Sequence, residues 1–186
     1  MIDLHSHILF GLDDGARSLE DSLAMARIAA ADGVRLMAAT PHSPASTACM
    51  VYDPQVIHAK TAALNRALQA EEIPLEVVAG TEITYAADMA GQLERGLLLP
   101  YAGTRAVLLE PPYAGLPESM GVTLFSLQIA GYRVVLAHPE RLPDVQADPN
   151  CLVPLIERGV LVQLTAEALT GRQGDYMRRV AETLLT

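Results

Sequence analysis

Short apolar segments alternate with helical patterns along the whole sequence, and this alternation restricts the fold more than any other feature. Within each segment the apolar residues are continuous instead of alternating with polar ones. Continuous apolar runs are typical of strands buried on both faces, and repeated strand–helix alternation predicts a parallel sheet in an α/β fold. The predicted strands cover residues 2–4, 34–39, 75–79, 106–109, 133–137 and 160–164.

Residues that begin and end helices separate the predicted strands. Ser18, with Asp21 three residues later, has the pattern of an N-cap, and Asp53 followed by Pro54 has that of an N-cap and first turn. Glycines in the position that ends a helix are Gly33, Gly131 and Gly159. The predicted helices cover residues 18–31, 53–70, 87–95, 119–130, 149–158 and 175–185. No internal repeat or linker interrupts this order, so a single domain of residues 1–186 is expected.

Histidines and acids recur where the predicted strands end. His5 and His7 are two residues apart on an extended segment, so their side chains point the same way. In an open sheet the other strand ends would lie along a line, whereas closure into a β/α barrel gathers them around one mouth, where barrel active sites lie. The pattern therefore favours a barrel with one cluster of side chains, made of His5, His7, His42, Glu82, Glu110 and His138.

Mixed imidazole and carboxylate ligands predict a site for Mn, Fe or Zn, whereas a site of oxygen ligands alone would suit Mg or Ca. With Asp14 there are more candidates than one tetrahedral ion needs, so two or three bridged ions are expected. Glu110 is the expected bridge, because it ends an apolar strand before two prolines and buried glutamates are rare unless paired or metal-bound. Such clusters bind phosphate oxygens and generate hydroxide near neutral pH.

Three further polar residues near these positions have ordinary explanations as well. Asp13 could be the partner of Asp14 or a turn acid, and the turn acid is favoured; His58 lies inside a helix as a surface or packing residue. Arg141 could pair with a surface acid, but its place three residues after His138 makes it a candidate phosphate clamp, since a guanidinium matches phosphate geometry.

Charge and motifs exclude several other classes of protein. The net charge is −9 and Lys60 is the single lysine, which argues against a nucleic-acid-binding surface. No apolar run is long enough to span a membrane, and no basic leader precedes one, so a cytoplasmic protein with Cys49 and Cys151 as free thiols is expected. The Cys-x5-Arg motif of cysteine phosphatases, the P-loop and the Gly-x-Ser-x-Gly elbow are all absent.

The combined motifs resemble the polymerase and histidinol phosphatase (PHP) superfamily, and within it the bacterial tyrosine-protein phosphatases of capsular and exopolysaccharide synthesis. His-x-His alone is shared with many metallohydrolases, but its combination with the later motifs is much more specific. The resemblance covers the whole chain and rests on Asp3-Leu-His5-Ser-His7-Ile-Leu, Asp13-Asp14-Gly15, Ala39-Thr-Pro-His42, Gly80-Thr-Glu82-Ile and Ala137-His-Pro-Glu-Arg141.

The resemblance implies a distorted β/α barrel and a divalent metal cluster of two to three ions, often manganese, with iron or zinc as alternatives. It implies hydrolysis of phosphotyrosine by a metal-activated hydroxide, on a partner such as a bacterial tyrosine kinase of polysaccharide export. Arg141 would help bind phosphate, and Asp14 would act both in catalysis and as a ligand. The implied metal ligands are His5, His7, Asp14, His42, Glu82, Glu110 and His138.

The sequence departs from the family pattern at two places. Phe10 stands where the family usually has proline, and the chain ends at Thr186, before the family's last strand with its Asp-x-His pair. The expected barrel is therefore incomplete at its C-terminal end. Two alternatives stay open: a phosphoesterase for a small ester such as histidinol phosphate, and an inactive truncated homologue with a binding role. A homo-oligomer stays open as well.

Overall fold

The computed structural model describes residues 1–186, which divide into two compact units, Met1–Leu108 and Leu109–Thr186. The expectation that residues 1–186 form a single domain stays a prediction. None of the helices has the length and apolar character needed to cross a bilayer.

Seven strands and eight α-helices follow one another along the chain. The strands are β1 (Ile2–Ser6), β2 (Leu36–Ala39), β3 (Glu76–Ala79), β4 (Glu82–Thr84), β5 (Ala106–Glu110), β6 (Arg133–Ala137) and β7 (Leu161–Gln163). The helices are α1 (Leu19–Ala31), α2 (Pro54–Ala70), α3 (Met89–Glu94), α4 (Met120–Ile129), α5 (Pro143–Ala147), α6 (Val153–Ile156), α7 (Ala166–Leu169) and α8 (Asp175–Leu184). Short 3₁₀ helices form at Pro139–Arg141 and Pro149–Leu152.

Parallel pairing aligns the strand ends of the first unit. Strands β1, β2 and β3 form a parallel sheet in that order, and Leu36 is paired with both Ile2 and Glu76. Beyond β2, His42 forms an isolated parallel bridge with Glu82, the first residue of β4. The residues that follow these strands therefore lie at one edge of the sheet.

Helices α1 and α2 cover this sheet with their apolar faces. The fully buried residues at the centre include Ile8, Leu12, Leu64 and Val77. Burying a leucine or isoleucine side chain stabilises a fold by about 1.5–3 kcal/mol. The loop after β1 is therefore anchored in this core through Ile8 and Leu12.

The predicted helix caps are confirmed because they depend on neighbouring residues only. Ser18 and Asp21 form a reciprocal capping box at the start of α1, and Asp53 accepts a hydrogen bond from the backbone N–H of Gln55 at the start of α2. The three predicted helix-ending glycines all have left-handed φ values: Gly33 (+87°), Gly131 (+81°) and Gly159 (+83°).

In the second unit, β6 and β7 pair in parallel, with Leu136 opposite Val162. The predicted helix over residues 149–158 is wrong, because this segment is a 3₁₀ turn followed by the short α6. Pro154 lacks an N–H and would clash with the carbonyl of a preceding helical turn, so it is accommodated only in the first turn of α6.

Burial of the strands differs from the expectation for β1 and β7. Ile2 and Leu4 of β1 are 61% and 48% exposed, and Leu161 of β7 is 51% exposed. In contrast, all residues of β6 after Arg133 are buried. Strand β4 was also missed, since it begins only three residues after β3 ends and is too short for a pattern of its own.

Candidate metal centre

Three histidines surround one buried glutamate in the first unit. The Glu82 carboxylate is 1% exposed, and its Oε1 lies 3.2 Å from Nε2 of His5. Its Oε2 lies 3.3 Å from both Nε2 of His7 and Nδ1 of His42. Three imidazole nitrogens and a carboxylate at these separations form a set of donors that can bind divalent cations of the Mn, Fe and Zn type.

Backbone pairing sets this geometry. His5 belongs to β1 and His7 follows it, so the period of two brings both rings to one face. His42 and Glu82 are adjacent through their isolated bridge, where the Glu82 N–H donates to the carbonyl of Pro41 and the Ser43 N–H donates to that of Glu82. Four predicted site residues therefore converge in this unit.

Asp13 makes the turn contact that the sequence favoured and also contacts two of the histidines. Its carboxylate is 1% exposed, and Oδ2 lies 2.6 Å from Nδ1 of His7 and accepts the backbone N–H of His42 at 3.0 Å. Oδ1 accepts the N–H of Gly15, which is the expected turn contact. A carboxylate on Nδ1 orients an imidazole so that Nε2 is available to a metal.

The contact between His7 and Asp13 changes the pKa values of both side chains. Burial alone would lower the pKa of His7, but hydrogen bonds and charges of Asp13 and Glu82 raise it to about 10. Burial alone would raise the pKa of Asp13, but the hydrogen bond and charge of His7, with the backbone N–H groups of Gly15 and His42, lower it. The His7–Asp13 pair is therefore ionised near neutral pH in the protein without metal.

Asp14 lies beside the cluster and faces solvent. Its Oδ1 is 3.7 Å from Nε2 of His42, and its side chain is 67% exposed. Donor atoms of Asp14, His7 and Asp13 all lie within 4.8 Å of one another. The adjacent acids thus occupy different positions, one buried behind His7 and one open to a ligand.

The second unit holds the remaining predicted residues. Nε2 of His138 lies 3.9 Å from Oε1 of Glu110, and both side chains are buried. The backbone of His138 is left-handed, with φ +32°, a conformation that costs a non-glycine residue about 1–3 kcal/mol and is concentrated at functional sites. Arg141 ends the 3₁₀ turn that follows, half-buried.

Glu140 is a buried acid of this turn that sequence reasoning left without a role. Its Oε1 accepts the backbone N–H of Thr165 at 2.9 Å and the Thr165 hydroxyl at 2.7 Å. These bonds join the turn after β6 to the residues after β7. Glu140 therefore holds the segment that carries His138 and Arg141, and its position inside the His-Pro-Glu-Arg motif was the available indication.

The remaining histidine and the two cysteines are not placed for catalysis. His58 is an exposed residue of α2, as expected. Burial and the charge of Asp13 raise the pKa of Cys49, and burial with the charges of Asp148 and Asp144 raises that of Cys151. Raised values disfavour the thiolate that a cysteine phosphatase needs, which agrees with the absence of its motif.

Comparisons with known proteins identify the group to which the chain is similar. The tyrosine-protein phosphatase YwqE of Bacillus subtilis (strain 168) is 35% identical over 178 residues, which are 96% of this chain and 69% of YwqE. The tyrosine-protein phosphatase CpsB of Streptococcus pneumoniae is 29% identical over 191 residues, covering 100% of this chain and 77% of CpsB.

A solved structure agrees with these relatives. This structure is described as one of the crystal structures of YwqE from B. subtilis and CpsB from S. pneumoniae, metal-dependent tyrosine phosphatases. It matches with a TM-score of 0.94 and 34% identity, and the match covers 100% of this chain and 74% of that one. The predicted α/β class with parallel strands is thereby confirmed, and so is the resemblance found in the sequence. A family model described as "Capsular polysaccharide synthesis, CpsB/CapC" matches residues 1–186. This chain therefore belongs to the CpsB/CapC family.

Proposed function

We propose that this chain is a metal-dependent protein-tyrosine phosphatase that hydrolyses phosphotyrosine. The observation that carries the proposal is the Glu82 carboxylate, buried against imidazole nitrogens of His5, His7 and His42 at 3.2–3.3 Å. Relatives named tyrosine-protein phosphatases support the substrate class.

The residues present suit a divalent cluster by their chemistry. Neutral imidazoles and carboxylates are ligands for Mn²⁺, Fe²⁺ and Zn²⁺, and a cation would neutralise acids that are otherwise buried together. We infer two to three ions, with manganese preferred. The proposed ligands are His5, His7, Asp14, His42, Glu82, Glu110 and His138, and Glu110 stays the proposed bridge.

Bound ions would supply positive charge for the phosphate and an activated water for attack at phosphorus. The guanidinium of Arg141 binds two phosphate oxygens and orients the ester. Asp14, with an exposed carboxylate beside His42, accepts the proton that the attacking water loses. The bond from phosphorus to the tyrosine oxygen breaks, that oxygen takes the proton which Asp14 accepted from the water, and no covalent intermediate with the protein forms.

The physiological substrate is expected to be a phosphotyrosine protein of polysaccharide synthesis, with a bacterial tyrosine kinase as the proposed partner. The family description supports this setting. Both cysteines are free thiols, which is compatible with the proposed cytoplasmic location. A homo-oligomer stays a prediction.

The test measures hydrolysis of a phosphotyrosine peptide and of histidinol phosphate, with and without Mn²⁺, together with metal content by mass spectrometry. We expect Mn²⁺-stimulated turnover of the peptide, with kcat/KM at least tenfold above that for histidinol phosphate. Preference for histidinol phosphate would replace the proposed substrate, and no turnover despite bound metal would favour a binding role.

A matched pair of variants connects turnover to the cluster. Glu82→Gln removes the carboxylate that three histidines face, and we expect it to lower Mn²⁺ affinity and to reduce kcat by at least 100-fold, as loss of an electrostatic group at a reacting centre does (about 10²–10³). Glu94→Gln, at an exposed position of α3, should behave like the unmodified chain. An active Glu82→Gln enzyme would remove Glu82 from the proposed site.

A further inference from the structure

We propose that Lys60 is a positioning residue for the metal centre, because its ammonium group fixes the loop that carries Asp13 and Asp14. This loop, residues 8–16, is called the acid loop below. The inference rests on the metal-dependent function proposed above, and it assigns a role to the single lysine of a chain with net charge −9.

Lys60 reaches the acid loop from α2 through two contacts. Its Nζ donates a hydrogen bond of 2.8 Å to the backbone carbonyl of Phe10. The same Nζ lies 3.9 Å from the centroid of the Phe10 ring, which is a cation–π distance. Both contacts use the positive charge, and they hold the backbone and the side chain of one residue together.

The contacted residue lies at the bend of the acid loop. Gly11, immediately after Phe10, has φ +65°, and a Cβ there would lie 3.9 Å from Lys60 Nζ. The Gly11 N–H donates to the carbonyl of Ala16, and the Ala16 N–H donates to that of His7. These bonds close the loop onto the end of β1. The ammonium group therefore braces a turn whose two ends lie close to His7, a proposed ligand.

The position of this brace connects it to both acids. Asp13 and Asp14 follow Gly11 by two and three residues. The carbonyl of Leu12, which lies between Gly11 and Asp13, accepts the N–H groups of Met50 and Val51. The segment after His42 therefore holds the acid loop from a second side. Without Lys60, the Phe10 end of the loop loses its charged anchor, and the placement of the acids becomes less defined.

The test compares Lys60→Met with Arg66→Met. Both changes remove one positive charge from α2, but Arg66 is exposed. Titration calorimetry measures Mn²⁺ affinity, and amide hydrogen exchange of residues 8–16 is measured on the protein without metal. We expect Lys60→Met to weaken Mn²⁺ binding about tenfold, equal to about 1.4 kcal/mol, and to speed exchange in the acid loop, with Arg66→Met unchanged in both.

Two further variants separate positioning from general stability. Lys60→Arg keeps the charge and should recover most of the Mn²⁺ affinity, while Phe10→Leu keeps the carbonyl and removes the ring, for which about a threefold loss is expected. If Lys60→Met fails to fold, Lys60→Gln replaces it, because it removes the positive charge that both contacts use, and unchanged exchange and affinity in that variant would overturn the proposal.

Unchanged Mn²⁺ affinity in folded Lys60→Met, or an equal loss in Arg66→Met, would likewise overturn it. Failure of the proposed function gives a different result: the unmodified chain would bind no Mn²⁺ at all. Hydrogen exchange of the metal-free acid loop would then still decide whether Lys60 holds it.

Discussion

At the scale of single residues, two adjacent carboxylates take on different tasks because one is buried and the other is not. Asp13 accepts hydrogen bonds from the His7 ring and from the backbone of His42 and Gly15. Asp14 keeps an exposed carboxylate beside His42. Since one carboxylate joins His7 to the backbone of His42, the relative placement of two proposed ligands depends on Asp13, which is not itself expected to bind the metal.

Replacing Asp13 by asparagine should weaken metal binding without removing a ligand. The three groups that contact the Asp13 carboxylate all donate hydrogen bonds to it. The asparagine amide would have to turn its NH₂ group, itself a donor, toward one of these donors. Loss of such a supporting carboxylate lowers metal affinity by about 10–100-fold. Calorimetric Mn²⁺ titration of Asp13→Asn measures this, with Asp32→Asn at an exposed position as control. Affinity within twofold of the unmodified chain would limit Asp13 to the turn.

The raised pKa of His7 predicts that metal binding releases a proton. At pH 7 the ring is protonated in the protein without metal, because Asp13 and Glu82 outweigh burial and raise its pKa to about 10. A metal ligand must be deprotonated. If the metal displaces only the ring proton of His7, its apparent affinity should rise about tenfold per pH unit below pH 10.

The measurement is Mn²⁺ titration at pH 7 in two buffers of different ionisation enthalpy, which counts the protons released. About one proton is expected, and fewer from Asp13→Asn, where the partner charge is lost. Binding without proton release would mean that His7 is not a ligand.

At the scale of elements, the loop between β1 and α1 has no room for a side chain at Gly15. A Cβ built there would collide with the backbone carbonyl and the Cβ of His7. The neighbouring Ala16 N–H donates to that same carbonyl, and the Ser22 hydroxyl of α1 donates to the carbonyl of Ile8 at 2.6 Å. Close approach of the two backbones therefore places the acids against His7.

Gly15→Ala should displace His7 or the two acids, because the new Cβ needs space that the backbone of His7 now occupies. Overpacking of this kind costs about 1–3 kcal/mol of unfolding free energy, and Mn²⁺ affinity should fall more than tenfold. Gly121→Ala in α4 is the control, since the nearest atom to its Cβ is the Arg158 Nη1 at 3.4 Å. Urea unfolding and Mn²⁺ titration are compared for both, and normal Mn²⁺ binding by Gly15→Ala would show that the loop adapts.

Elements whose boundaries depend on local chemistry could be predicted from the sequence. The capping box of Ser18 and Asp21 lies where expected, and β6 has the predicted bounds. The predicted helix around Pro154 was wrong, because an apolar pattern alone does not distinguish one helix from a 3₁₀ turn followed by a short helix. The exposure of Ile2 and Leu4 could not be predicted either, since the same apolar pattern describes a covered and an uncovered strand.

At the scale of the whole molecule, the strand order along the chain carries most of the information about the site. The sequence placed His5, His7, His42 and Glu82 at the ends of successive strands, and parallel pairing within the first unit brings these four residues together. The orientation of Asp13 could not be predicted from the sequence, because it depends on which side of a three-dimensional turn faces His7. The same is true of Glu140, whose partner Thr165 lies 25 residues away.

Metal binding should stabilise the fold, because the proposed ligands come from separate segments that only folding brings together. A ligand at 100 times its Kd adds about 2.7 kcal/mol to the free energy of unfolding. For a chain of this size this corresponds to an increase in Tm of roughly 5–10 °C. Calorimetric scans with Mn²⁺ and with EDTA measure it. Mg²⁺ should give a smaller shift, because it prefers oxygen ligands alone, and Glu82→Gln should give almost none with Mn²⁺. Equal shifts for both ions, or for both proteins, would mean that Mn²⁺ binds to surface acids instead of the histidine cluster.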